Sequence, residues 1–97
     1  METKQIDQTP PPSIEEIFKT KGRVQILKIL AKAGELNISA ICSQARMNHQ
    51  VAKRHLQILS EVGVVQEKIF GRIKIYRLRI ENLRVQGIKN LIELWQN

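Results

Sequence analysis

The sequence predicts a mainly α fold with one small β-hairpin and an extra C-terminal helix, and three observations carry that prediction. Asn48–Val62 has Ala52, His55, Leu56, Leu59 and Val62 at three- and four-residue steps, the stripe of an amphipathic helix. Two β runs, Val64–Lys68 and Arg72–Arg79, flank Phe70-Gly71, and Gly71 can take the positive φ of a hairpin turn. A shorter helical stretch, Ile38–Ala45, precedes the first across Arg46-Met47. Helix, turn, helix and then a two-stranded ribbon is the arrangement of a winged helix-turn-helix.

Taken in order, residues 1–12 are mostly polar and end in three prolines, a flexible tail or polyproline II spacer. Ser13-x-x-Glu16 is a capping box opening a helix whose apolar side is Ile14, Ile17 and Phe18. Gly22 is expected to break or kink this segment. Val24, Leu27, Leu30 and Ala31, with Ile26 and Ile29 beside them, then form the widest apolar helix, the core helix, which Gly34 ends. Glu35–Asn37 is too short to stand alone and is expected to pair with the hairpin as a third strand. Asn37 caps the short helix, whose Ile38, Ile41, Cys42 and Ala45 face inward, and Asn48 caps the next, which Gly63 stops. Residues 81–96 read as a last helix, interrupted at Gly87, with Leu83, Ile88, Leu91, Ile92 and Trp95 as its apolar strip.

The polar side of the Asn48–Val62 helix carries Asn48, His49, Gln50, Lys53, Arg54 and Gln57, with no acid among them. Each can donate a hydrogen bond to a base edge or a phosphate. The net charge of +7 is concentrated: residues 44–79 hold eight Lys/Arg against two Asp/Glu, a net of +6. A solubility device would be spread out; a charge gathered on one helix and ribbon is the footprint of a polyanion-binding surface. The helix suits a major groove and the ribbon tip a neighbouring phosphate or minor groove. Arg54 suits a guanine edge or a phosphate, Lys53 a phosphate, and Gln50 an adenine edge. Phe70 at the ribbon tip either rests in a minor groove or stands exposed, and Tyr76 is expected to pack on the helices.

Other chemistries find little support. His49 and His55 are six apart, off one helix face, so no metal site is expected; His55 is expected to pack beside the core with a hydrogen bond. Cys42, the one cysteine, excludes an internal disulfide and reads as a small buried hydrophobe. No nucleophile–base set, phosphate loop or carboxylate pair stands out, so neither catalytic residue nor cofactor is expected. No long apolar run or signal peptide is present, which fits a cytoplasmic, nucleoid-associated protein without a membrane partner. A small domain already has its core from the earlier helices and the sheet. The last apolar strip, paired with Ile14, Ile17 and Phe18, is therefore expected to mediate dimerisation rather than fold back on its own domain. The chain divides into a tail over 1–12, a winged helix-turn-helix domain over 13–79 and a dimerisation helix over 80–97.

Residues 18–79 also carry a resemblance. GRVQILKIL in the core helix, RHLQIL-x-x-x-GVV and the GRIKIYRL wing resemble the winged helix-turn-helix of ArsR-like transcriptional regulators of the archaeal type. The resemblance implies a homodimer on a palindromic or near-palindromic site. It implies that Asn48, His49, Gln50, Lys53 and Arg54 meet DNA and that the wing, with Lys68, Arg72 and Lys74, contacts backbone or minor groove. Metal-sensing members carry a cysteine pair where this chain has ISAICSQAR with Cys42 alone, so metal sensing through that site does not carry over. The function expected is a sequence-specific, double-stranded DNA-binding transcriptional regulator acting as a dimeric repressor. The competing readings are a low-specificity chromosomal architectural protein and a winged-helix interaction module of a transcription complex.

Overall fold

A computed structural model of the chain describes residues 13–96, so the tail expected over residues 1–12 lies outside the described residues. The element order is α1 (Ile14–Ile17), α2 (Lys21–Ala33), β1 (Glu35–Asn37), α3 (Ile38–Ala45), α4 (His49–Glu61), β2 (Val65–Phe70), β3 (Ile73–Leu78) and α5 (Leu83–Gln96). The strands form one antiparallel sheet in the order β1-β3-β2, with the short β1 on the edge as expected.

Side-chain caps set most of the helix starts. Asn37 Oδ1 accepts from the Ala40 amide and Asn48 Oδ1 from the Val51 amide, each at 2.8 Å, fixing the entry of α3 and α4. Ser13 Oγ accepts from the Glu16 amide at 3.0 Å, but Glu16 does not complete the box; its carboxylate lies 3.3 Å from the Arg23 guanidinium. The first helix breaks earlier than expected. Thr20 Oγ1 accepts from the Arg23 amide at 3.1 Å and starts α2, so Gly22 lies inside that helix rather than at a break.

Packing explains Gly22. A Cβ there would lie 2.6 Å from Nε2 of His55 on α4. The imidazole therefore rests on the bare backbone of the first turn of α2. Its Nδ1 is buried without a hydrogen-bond partner among the described residues, as is Nε of Arg23. The hydrogen bond expected for His55 is thus missing at Nδ1, although the packing is present. Desolvation first, then the Arg23 and Arg54 charges, hold the ring below the usual histidine range. Gly22→Ala is expected to lower stability by about 1–3 kcal/mol through overpacking. Helix propensity alone would raise it by up to about 1 kcal/mol. Urea unfolding of Gly22→Ala in wild-type and His55→Ala backgrounds separates the two effects. A loss that persists undiminished without the imidazole would exclude the contact as its cause.

The core lies between the helices and one face of the sheet. Ile26, Leu27, Leu30, Ile41, Leu56, Leu59, Val64 and Val65 are fully buried, each burial worth roughly 1.5–3 kcal/mol. The inward face of α2 is Arg23, Ile26, Leu27, Leu30 and Ala31, with Val24 only half-buried. Arg23 is buried because its guanidinium reaches back to the Glu16 carbonyl and carboxylate. Tyr76 packs in the core as expected, whereas Cys42 is only half-buried.

Helix α5 is continuous through Gly87 and presents two faces. Val85 is buried, and Ile88 and Ile92 pack against the core. Leu83, Leu91, Leu94 and Trp95 point outward, exposed by 82, 52, 75 and 82%. Ile14 is also exposed, while Ile17 is in the core and Phe18 packs against it. A groove of about 520 Å³ between α1 and α5 is lined by Ile14, Ile17, Phe18, Val85 and Ile88 among others. No described helix is long and apolar enough to cross a membrane.

Candidate nucleic-acid interface

Helix α4 stands with Ala52, Leu56 and Leu59 in the core and the opposite side in solvent. His49, Gln50, Lys53, Arg54 and Gln57 are all exposed along that side, beginning at the Asn48 cap. The helix has 13 residues, a rod of about 20 Å. Its first turn offers amides and the positive end of the helix dipole to an anion.

The ribbon is aimed by register. Val65, Glu67 and Ile69 pair with Leu78, Tyr76 and Lys74 on the face toward the core, and Gln66, Lys68 and Phe70 pair with Arg77, Ile75 and Ile73 on the other. The turn is Gly71-Arg72, one residue later than expected, because Phe70 pairs with Ile73 and Gly71 supplies the positive φ of 62°. Among the described non-glycine residues only Arg46 has a positive φ, so this is a II′-like turn with glycine first. Lys74 therefore shares a groove of about 340 Å³ with Lys53, Gln57, Glu67 and Tyr76. The Tyr76 hydroxyl donates to Glu67 Oε2 at 2.7 Å. Burial first, then Glu67, holds that phenol well above its usual range.

Ion pairing thins the basic patch. Lys68 lies on the far face of the ribbon, 2.7 Å from Glu35, and is not brought together with the α4 residues. That contact holds the Glu35 carboxyl below the usual range. Arg77 and Arg79 both reach Glu81, at 3.1 and 3.8 Å. Of the eight basic residues in 44–79, five form no ion pair among the described residues: Arg46, Lys53, Arg54, Arg72 and Lys74. These five sit on the turn before α4, on its exposed side, and on the ribbon tip.

Two residues escape the sequence reading. Val51 is 42% exposed in the first turn of α4, an apolar surface that suits a thymine methyl. Alternation of apolar and polar residues gives no signal for it. Arg46 ends α3 in the left-handed conformation, φ 55° and ψ 48°, at a cost of roughly 1–2 kcal/mol that glycine would not bear. Arg46 is exposed, two residues before the Asn48 cap of α4. His49 and His55 lie on different sides of α4, and the described residues contain no group of three or more His, Cys, Asp or Glu placed to hold a metal.

Comparison with known proteins finds the same fold and a family. Residues 20–67 match the bacterial regulatory protein arsR family. An uncharacterised HTH-type transcriptional regulator of Methanocaldococcus jannaschii is 32% identical over 81 residues, covering 80% of this chain and 89% of that protein. The solution structure of the homodimeric winged helix-turn-helix DNA-binding domain of a possible ArsR-family transcriptional regulator from Mycobacterium bovis is similar. It has 28% identity and a TM-score of 0.68 over 86% of this chain and 77% of that one. HlyU from Vibrio cholerae has the same fold at 21% identity and a TM-score of 0.75, over 87% of this chain and 88% of that one.

Proposed function

The chain belongs to the ArsR family of transcriptional regulators, and from that premise we propose that it is a homodimeric repressor that occupies promoter DNA. The observation that carries the reading is a set of five exposed cations without an ion-pair partner among the described residues: Arg46 on the turn before α4, Lys53 and Arg54 on α4, and Arg72 and Lys74 at the ribbon tip, with Lys53 and Lys74 lining one groove. Helix α4 enters the major groove with Gln50, Val51 and Arg54 toward base edges. Asn48, His49 and Gln57 contact sugar, phosphate or base edges beside them. The ribbon follows the backbone with Arg72 and Lys74, and Lys68 adds only long-range charge.

The second copy docks on the outward face of α5. Leu83, Leu91, Leu94 and Trp95 form that face, and Ile14 on α1 is exposed as well. Ile17, Phe18, Ile88 and Ile92 support it from within. Two α4 helices then stand about 34 Å apart and enter successive major grooves. We assign the protein no catalytic role and place it on nucleoid DNA in the cytoplasm.

The test is the salt dependence of binding to an operator selected from a random duplex pool. With Arg54 on a base, four phosphate contacts per subunit give a slope of log K against log salt of roughly −7. A slope near zero would refute the electrostatic surface. Equal affinity for random duplex would make the protein an architectural one.

A further inference from the structure

At the ribbon tip three large apolar side chains stand in water: Ile69, Phe70 and Ile73, exposed by 60, 58 and 54%. Exposed apolar residues scattered singly are ordinary, but these crowd around one two-residue turn. Phe70 and Ile73 are cross-strand partners on one face of the ribbon, and Ile69 pairs with Lys74 on the other. From buried Val65 the strand runs five residues to Phe70, so the tip projects about 17 Å.

The blade is narrow, because paired strands lie only about 4.8 Å apart. Ile73 is flanked in sequence by Arg72 at the turn and Lys74 on the other face of the ribbon, neither of which has an ion-pair partner among the described residues. Lys74 also shares a groove with Lys53 of α4, so the tip continues the cationic surface. An apolar edge framed by cations matches a stacked polymer with a phosphate rail on each side. Phosphates attract the frame, and only the space between two bases takes the edge out of water.

We propose that the ribbon tip is a wedge: Phe70, backed by Ile73, enters a base step from the minor groove and bends the duplex while Arg72 and Lys74 hold the flanking phosphates. The inference rests on the duplex-binding reading above and deepens it. Apolar side chains inserted this way unstack the step and kink DNA toward the major groove. Unstacking is easiest at pyrimidine–purine steps, so the wedge adds sequence preference at a position α4 does not touch.

The experiment is ligase-driven circle closure of a linear duplex of about 120 bp, shorter than the persistence length of about 150 bp. Each variant is used at a concentration that saturates the duplex in a gel shift. Wild type is expected to speed closure by about tenfold or more over bare DNA. Phe70→Ala is expected to bind with closure within about twofold of bare DNA, while Phe70→Leu keeps most of the effect. Arg72→Ala needs more protein to saturate but still bends. If bound Phe70→Ala closes circles as fast as wild type, or bound wild type never speeds closure, the wedge is refuted. Absence of any gel shift with wild type at low salt would instead overturn the duplex-binding reading beneath it.

Discussion

Arg54→Ala is expected to lower affinity for the selected operator by about 1–3 kcal/mol per half-site, hence about 2–6 kcal/mol for the dimer, roughly 30-fold to 10⁴-fold. Arg54 is exposed near the start of α4 and has no ion-pair partner among the described residues. Folding should therefore change by less than about 0.5 kcal/mol. What is lost is the match between a rigid bidentate donor and a base edge, so the loss should fall on one base position in each half-site. Lys74→Ala is the contrast. It removes a point charge facing the backbone, weakens all sequences about equally, and makes the salt slope less steep by about 0.9 per lost contact. Operator selection repeated with each variant, with titrations at several salt concentrations, reads both effects. An Arg54→Ala protein that selects the wild-type operator unchanged would show that α4 is not the reader.

The local features were legible because their causes are local. Asn37 and Asn48 cap helices through amides three residues away, and Gly63 and Gly71 adopt positive φ where the chain needs it. The helix-turn-helix and the ribbon followed from these signals. What stayed hidden depends on partners distant in sequence. The sequence groups Lys68 with the contact residues, and only the fold brings Glu35, 33 residues away, to its ammonium. Gly22 reads in the sequence as a helix breaker, and only the fold sets His55 of another helix against it. The sequence predicts one apolar strip on α5, Leu83, Ile88, Leu91, Ile92 and Trp95, whereas the core takes Ile88 and Ile92, with Val85 from outside that strip, and leaves Leu83, Leu91 and Trp95 outward. Hydrophobic periodicity identifies an amphipathic helix but cannot assign apolar residues to two partners on opposite sides.

That outward face sets the other large effect. Trp95→Glu with Leu94→Glu is expected to turn a dimer into a monomer, with the mass read by analytical ultracentrifugation. Both side chains are exposed, by 82 and 75%, so the monomer's thermal unfolding should change little. Covering Trp95 withdraws on the order of 200 Å² of apolar surface per protomer, about 5 kcal/mol before the costs of association. A carboxylate in its place must be desolvated without a partner. Losing the linked second half-site should then cost about 10²- to 10⁴-fold in operator affinity, although no DNA contact has been altered. Gly87 offers a subtler test on the same helix. Beyond its chain neighbours and the backbone of its own helix, no heavy atom of the described residues lies within 4 Å of a Cβ placed there, so alanine meets no obstacle from them in the monomer. Gly87→Ala should raise monomer stability by up to about 1 kcal/mol through helix propensity. If a second α5 packs closely over Gly87, the same substitution should weaken the dimer, and one methyl group would move the two quantities in opposite directions. A double glutamate variant that remains dimeric would place the interface elsewhere. One that becomes monomeric yet binds the operator as before would show that a single α4 suffices.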